Sequence, residues 1–300
     1  MSTVQWLLML HMTGAFFFVS GSVTAGVLNV LAGRAERPSE TALLLRLIKT
    51  AVIVIGVGVA ATLVFGIWLW HRQGYGIGTF WSWASLVLWL IANALGGIGG
   101  KHQGRTRKLA EQLAAAGDTM TDKLRALLRD PRGRPVMACR PRDTRDPRAH
   151  DLEARLVTSY SRPFWPLFLH VLGAMTLVGA LLAVLLVSWV AWRRPEIAVL
   201  RRAAWSGLIA VALPAYLVMR LAGQWIYSKE GFSGENDPTW LGVGFGVADM
   251  GLLLLLVTIG VAFWWRRSAK PVAGRIVAVL SSVYLVLLAI AWLAMSGKWG

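Results

Sequence analysis

Charge is scarce in this chain, and cysteine is nearly absent. Only 15% of residues are charged, against roughly 25% in soluble domains. Acidic residues are fewest, 15 Asp plus Glu against 31 Lys plus Arg, which leaves a net charge of +16. The single cysteine, Cys139, excludes an intramolecular disulfide and a thiolate metal cluster within one chain. There is no P-loop, no HExxH and no GxSxG pattern, so no catalytic residue and no metal site is expected. Nor do the glycines of LGVGFGVADMG (Gly242, Gly244, Gly246) suggest a nucleotide fold, because no strand precedes them. Inside a membrane helix such glycines fit close helix packing.

What fills the chain instead is apolar sequence, 56% of all residues. It comes in long runs, with the charges gathered between them. Only helices and closed barrels can cross a bilayer with their backbone groups satisfied, and a helix needs about 20 apolar residues to do so. Seven stretches qualify: 4–31, 50–70, 80–99, 164–192, 203–227, 240–265 and 276–295. Most of the 16 tryptophans fall near the ends of these stretches, as interfacial belts do. The first run is too long for a signal-peptide core and reads as a retained helix. The expected class is therefore all-α, a polytopic transmembrane bundle of about seven helices in a bacterial cytoplasmic membrane. The basic excess then reads as helix flanks meeting anionic lipid headgroups, rather than as a nucleic-acid surface.

Three parts follow: residues 1–100 with three helices, a basic connection over 101–163, and residues 164–300 with four. Leucines at helical spacing between Thr106 and Asp130 predict one or two short surface helices. The Pro/Arg-rich remainder of the connection predicts a flexible linker.

The two membrane parts look alike. LHMTGA (10–15) in the first helix matches LHVLGA (169–174) in the fourth, 159 positions on. GIWLWHRQGY (66–75) at the end of the second matches GQWIYSKEGF (223–232) at the end of the fifth, 157 positions on. Landmarks in the same order at nearly constant spacing point to an internal repeat. Orientation is contested. Three helices between equivalents would set helices one and four in opposite directions, as in inverted-repeat transporters. The positive-inside rule instead has each half begin outside, because Arg34, Arg37, Arg46 and Lys49 follow the first helix and Arg193, Arg194, Arg201 and Arg202 follow the fourth. Chain parity and charge disagree, and both readings stay open.

Leu10, His11, Gly14 and Gly21, then GIWLWHRQGYGIGTFW (66–81), RTRKLAEQLAAAG (105–117) and LRALLRDP (124–131), resemble the family of predicted integral membrane proteins called domain of unknown function 2269. The resemblance covers about residues 4–132 and is weaker over 164–265. It implies a membrane protein without an assigned activity. That family usually closes with a fourth helix after the basic run, where this chain enters its Pro/Arg stretch.

Two sets of membrane residues could carry chemistry. His11 and His170 each lie about seven residues into a helix, roughly 10 Å deep, with Gly14 and Gly173 one turn on. Small neighbours suit a helix-packing His. They also leave room for a flat ligand such as haem, which takes an axial His, or for a proton relay. Direction of crossing places His71 on the side of His11, and His102 on the side of His170. Arg220 and Asp249 count to similar depths from the short connection between helices five and six, so they are expected to form an ion pair, extended by Gln224. Three functions follow: a membrane protein of unassigned activity acting as accessory or subunit beside a membrane-protein partner, a haem-binding or electron-transfer protein using His11 and His170, or a small-molecule or proton-coupled transporter using Arg220 and Asp249.

Overall fold

The structure, a computed structural model, describes residues 2–74, 80–130, 164–194, 197–232, 234 and 237–297. Cys139 and the Pro/Arg stretch of the connection lie outside the described residues. The described chain is helical, and seven of its helices are long and apolar enough to cross a membrane.

Helix α1 (Thr3–Ala32) opens on a capping box, in which Ser2 and Gln5 satisfy each other's backbone N–H. α2 (Pro38–Arg72) starts with proline in its first turn, where the missing N–H costs nothing. α3 (Phe80–Ala115) does not stop at Gly99, where its apolar run ends, but continues to Ala115. The extension has a packing partner: Leu109 and Leu113 close on Leu124 and Leu128 of α4 (Asp122–Arg129) and on Ala42 of α2. α5 is Phe164–Arg193. α6 (Ala198–Lys229) is one span with a π turn at Leu208–Ala212. Pro214, just past that turn, has no N–H and crowds the preceding carbonyls, which the wider turn accommodates. α7 (Thr239–Ser268) and α8 (Pro271–Gly297) complete the chain.

α2 and α6 end alike. Gly74 (φ +66°) and Gly231 (φ +75°), 157 positions apart, turn the chain out of the helix in the left-handed region that glycine enters freely.

Around these helices, large apolar side chains such as Leu88, Leu221 and Leu253 point outward, the surface a bilayer covers. The core lies where α1, α2, α5, α6, α7 and α8 meet, around Leu28, Leu44, Leu177, Leu181, Leu208, Leu255 and Tyr284.

The contact between halves settles the relative direction of α1 and α5. Ser20 Oγ donates to the Met175 carbonyl at 3.0 Å and Thr24 Oγ1 to the Gly179 carbonyl at 2.8 Å. Advancing four residues on one helix advances four on the other, so the two run parallel. Their approach is close enough that a Cβ at Gly179 would fall 2.5 Å from the Ser20 carbonyl oxygen.

Parallel halves bring the basic groups to one end of the bundle. Arg202 bonds Glu36 at 2.9 Å, Arg46 bonds Glu111 at 3.1 Å, Arg266 lies 4.6 Å over the Trp205 ring, and Arg275 lies 5.2 Å over that of Trp192. The opposite end carries Arg72, Lys229, Glu230 and Asp237 among the described residues. Both charge readings made from sequence therefore hold together, and the inverted arrangement drawn from chain parity does not. The described chain reaches Asp130 after α4, at the basic end, and resumes at Phe164 at the other.

Candidate functional site

Two helix pairs hold the membrane histidines in the same way. In the first half, the small faces of α1 and α2 bring their backbones together. A Cβ at Gly14 would fall 2.6 Å from the Thr62 nitrogen, and one at Gly58 would collide with the backbone nitrogen of Phe18. His11 reaches across this seam, and its Nδ1–H donates to the Thr62 carbonyl at 2.9 Å. Gly66 makes room for the ring, since a Cβ there would sit 3.0 Å from Cε1 and Nδ1.

In the second half, a Cβ at Gly173 would fall 2.7 Å from the Met219 nitrogen. His170 Nδ1–H donates to the Met219 carbonyl at 2.8 Å, and Gly223 makes room for the ring at 3.0 Å. Thr62 and Met219 are 157 positions apart, like Gly66 and Gly223. A helical carbonyl has two lone pairs and spends one on its own helix, so the second is open to a neighbour. A carbonyl only accepts, so Nδ1 carries a proton in both rings. The side chain that looks ionisable in sequence thus works as a bolt between helices. The room beside Gly14 and Gly173 is taken by backbone of α2 and α6.

The parallel halves move one sequence expectation. His102 does not share a side with His170. It lies near the basic end, where its ring bonds the Leu127 carbonyl at 2.9 Å and ties α3 to α4. The direction of α5, opposite to that counted from chain parity, is the reason. His71 is exposed at the end of α2 nearer His11.

The second set lies between α6 and α7. Arg220 Nη2 is 3.2 Å from Asp249 Oδ1, Arg220 Nη1 donates to Gln224 Oε1 at 3.1 Å, and the guanidinium lies 4.9 Å over the Phe245 ring. Next to them, the Tyr216 hydroxyl donates to the Ala248 carbonyl at 3.1 Å. Asp249 is ten residues into α7, about 15 Å along it, and so well inside the span. Yet its side chain is 67% exposed, against 27% for Arg220. The pair faces outward from the bundle, where a lone chain would meet lipid. No equivalent exists in the first half, where Leu63 stands 157 positions before Arg220.

Sequence reasoning missed four polar contacts. Ser20 and Thr24 sew α1 to α5, and their signal was two hydroxyls one turn apart in an apolar run. Trp292 Nε1 donates to Thr13 Oγ1 at 3.3 Å and its ring packs at a tilt on Phe16, centroids 4.5 Å apart, joining α8 to α1. Tyr227 donates to Asp237 at 2.8 Å and packs on Phe232 and Phe245, closing the α6–α7 connection above the ion pair.

Residues 5–138 match the family described as predicted integral membrane protein (DUF2269). The match spans α1 to α4 and stops before the second half. No curated protein and no solved structure matches the chain.

Proposed function

We propose that this multi-pass membrane protein is a non-catalytic subunit, which assembles with another membrane chain instead of turning over a substrate. The observation that supports this is the outward-facing Arg220–Asp249 pair inside the span. A charge facing lipid at that depth is expensive, and membrane charges are ordinarily covered by protein or a water-filled cavity. The rest of the intramembrane polar chemistry described above is spent on holding helices: His11, His170, Ser20, Thr24 and Trp292 each bond another helix. Where the halves meet, Ser20 (fully buried) and Thr24 bond the backbone of α5 at Met175 and Gly179. The basic end is the cytoplasmic one by the positive-inside rule.

Native mass spectrometry of the protein ejected directly from its own membranes tests this reading. The expected result is an assembly heavier than one chain, which falls to the mass of one chain when Arg220 and Asp249 are both replaced by alanine. A wild-type protein of one-chain mass in its own membrane would contradict it.

A further inference from the structure

α7 has two faces. Gly251, Leu255, Thr258, Ala262 and Trp265 are buried, with Tyr284 of α8 so close that a Cβ at Gly251 would fall 2.5 Å from its ring. The other face carries Gly242, Gly246, Asp249, Leu253, Val257 and Gly260, all exposed. Their spacing of three or four residues lines them up along one stripe. The sequence reading gave the three glycines of LGVGFG one role, but the structure divides them. Gly244 packs inward, 3.1 Å from Met295 Sδ for an added Cβ, whereas a Cβ at Gly242 or Gly246 would meet nothing within 4 Å among the described residues. The face that could let another backbone come close is thus the face on which Asp249 stands.

From this we infer that the partner is a second copy of the same chain, docked along this face of α7. The inference rests on the subunit reading above and names its partner. Charge complementarity carries it; the glycines alone would not. Arg220 and Asp249 form a neutral pair with one positive and one negative end, the aspartate exposed and the arginine partly so. In a two-fold dimer, residue i of one copy meets residue j of the other, and j meets i. An Arg–Asp pair satisfies that rule with itself: each arginine faces the other copy's aspartate, and four charges close into a neutral ring that no longer faces lipid. A foreign helix would have to bring its own matched acid and base at the same depth. Gly242 and Gly246 sit four residues apart, the spacing at which membrane helices cross closely, and they bring the two α7 helices near enough for the ring to form.

The test is self-association of the full-length protein in lipid vesicles, read by energy transfer between donor- and acceptor-labelled copies as lipid dilutes them. Wild-type copies should associate, and Gly246→Leu should weaken association about tenfold or more. The added side chain has open space in a single chain, so its melting temperature should stay at the wild-type value. Asp249→Asn should weaken association to a similar extent. Val286→Leu, on the exposed face of α8, should associate as wild type. Wild-type copies that never associate, or a Gly246→Leu protein that associates as tightly as wild type, would overturn the inference. So would a native assembly holding one copy and a foreign chain, although the subunit reading would then survive. A one-chain mass in the native membrane would remove both.

Discussion

Gly58→Val should destabilise the protein by roughly 3 kcal/mol, the upper part of the range for an overpacked core. The added Cβ collides with the backbone nitrogen of Phe18 and lies 2.8 Å from the Gly14 carbonyl oxygen. No rotamer change relieves a clash with backbone, so α1 and α2 must separate, and the His11–Thr62 bond that spans them lengthens with the seam. Gly56, two residues away, has nothing within 4 Å of an added Cβ. Gly56→Val is therefore the internal control, and its stability should stay within about 0.5 kcal/mol of wild type. Thermal unfolding in one detergent, followed by helical circular dichroism, compares the two. Equal melting temperatures would show that the glycine seam does not hold the first half together.

Arg220→Ala should lower folded yield more than loss of both partners does. It leaves Asp249 facing outward within the span, where an unpaired aspartate carries an insertion cost of about 2.5–3.5 kcal/mol. Arg220→Ala with Asp249→Ala removes the stranded charge along with the pair and should restore most of the yield. Monodisperse protein recovered from membranes, compared across wild type, single and double variants, checks this. A double variant that recovers no better than Arg220→Ala would mean that the pair is needed for the fold itself. The same double variant serves the assembly experiment, where it should be folded but unassembled. The two measurements together separate what the pair does within one chain from what it does between chains.

The sequence made the spans legible because the bilayer imposes length and apolarity on every crossing, and tryptophan marks the ends. It made the paired histidines legible through LHMTGA and LHVLGA. It could not show what the histidines bond, because Thr62 and Met219 take part through backbone carbonyls, which every residue has. Nor did Gly14 and Gly173 reveal whether their room belonged to a ligand or a helix, since both uses ask for the same missing side chain. The depth of Arg220 and Asp249 could be counted from the α6–α7 connection. Their outward direction depended on which face of α7 packs on α8, and the many glycines of that helix blur its faces.

Direction was the hardest feature to read. Counting helices gives antiparallel halves, whereas basic residues give parallel ones, and packing through Ser20, Thr24 and Gly179 sides with the charges. Residues 131–163, which join Asp130 to Phe164, carry eight arginines. Hydrocarbon does not accommodate such a stretch, so the parallel arrangement places a specific demand on how the two ends are joined.

The most direct test labels single cysteines in intact cells with a membrane-impermeant maleimide, in protein whose Cys139 is replaced by serine. Ser2→Cys and Ser228→Cys lie at one end of the bundle, Ala116→Cys and Ser268→Cys at the other. Parallel halves predict that Ser2→Cys and Ser228→Cys label from outside, while Ala116→Cys and Ser268→Cys label only after the membrane is opened. Labelling of Ser2→Cys together with Ser268→Cys, and protection of Ser228→Cys with Ala116→Cys, would show the halves inverted and contradict the account.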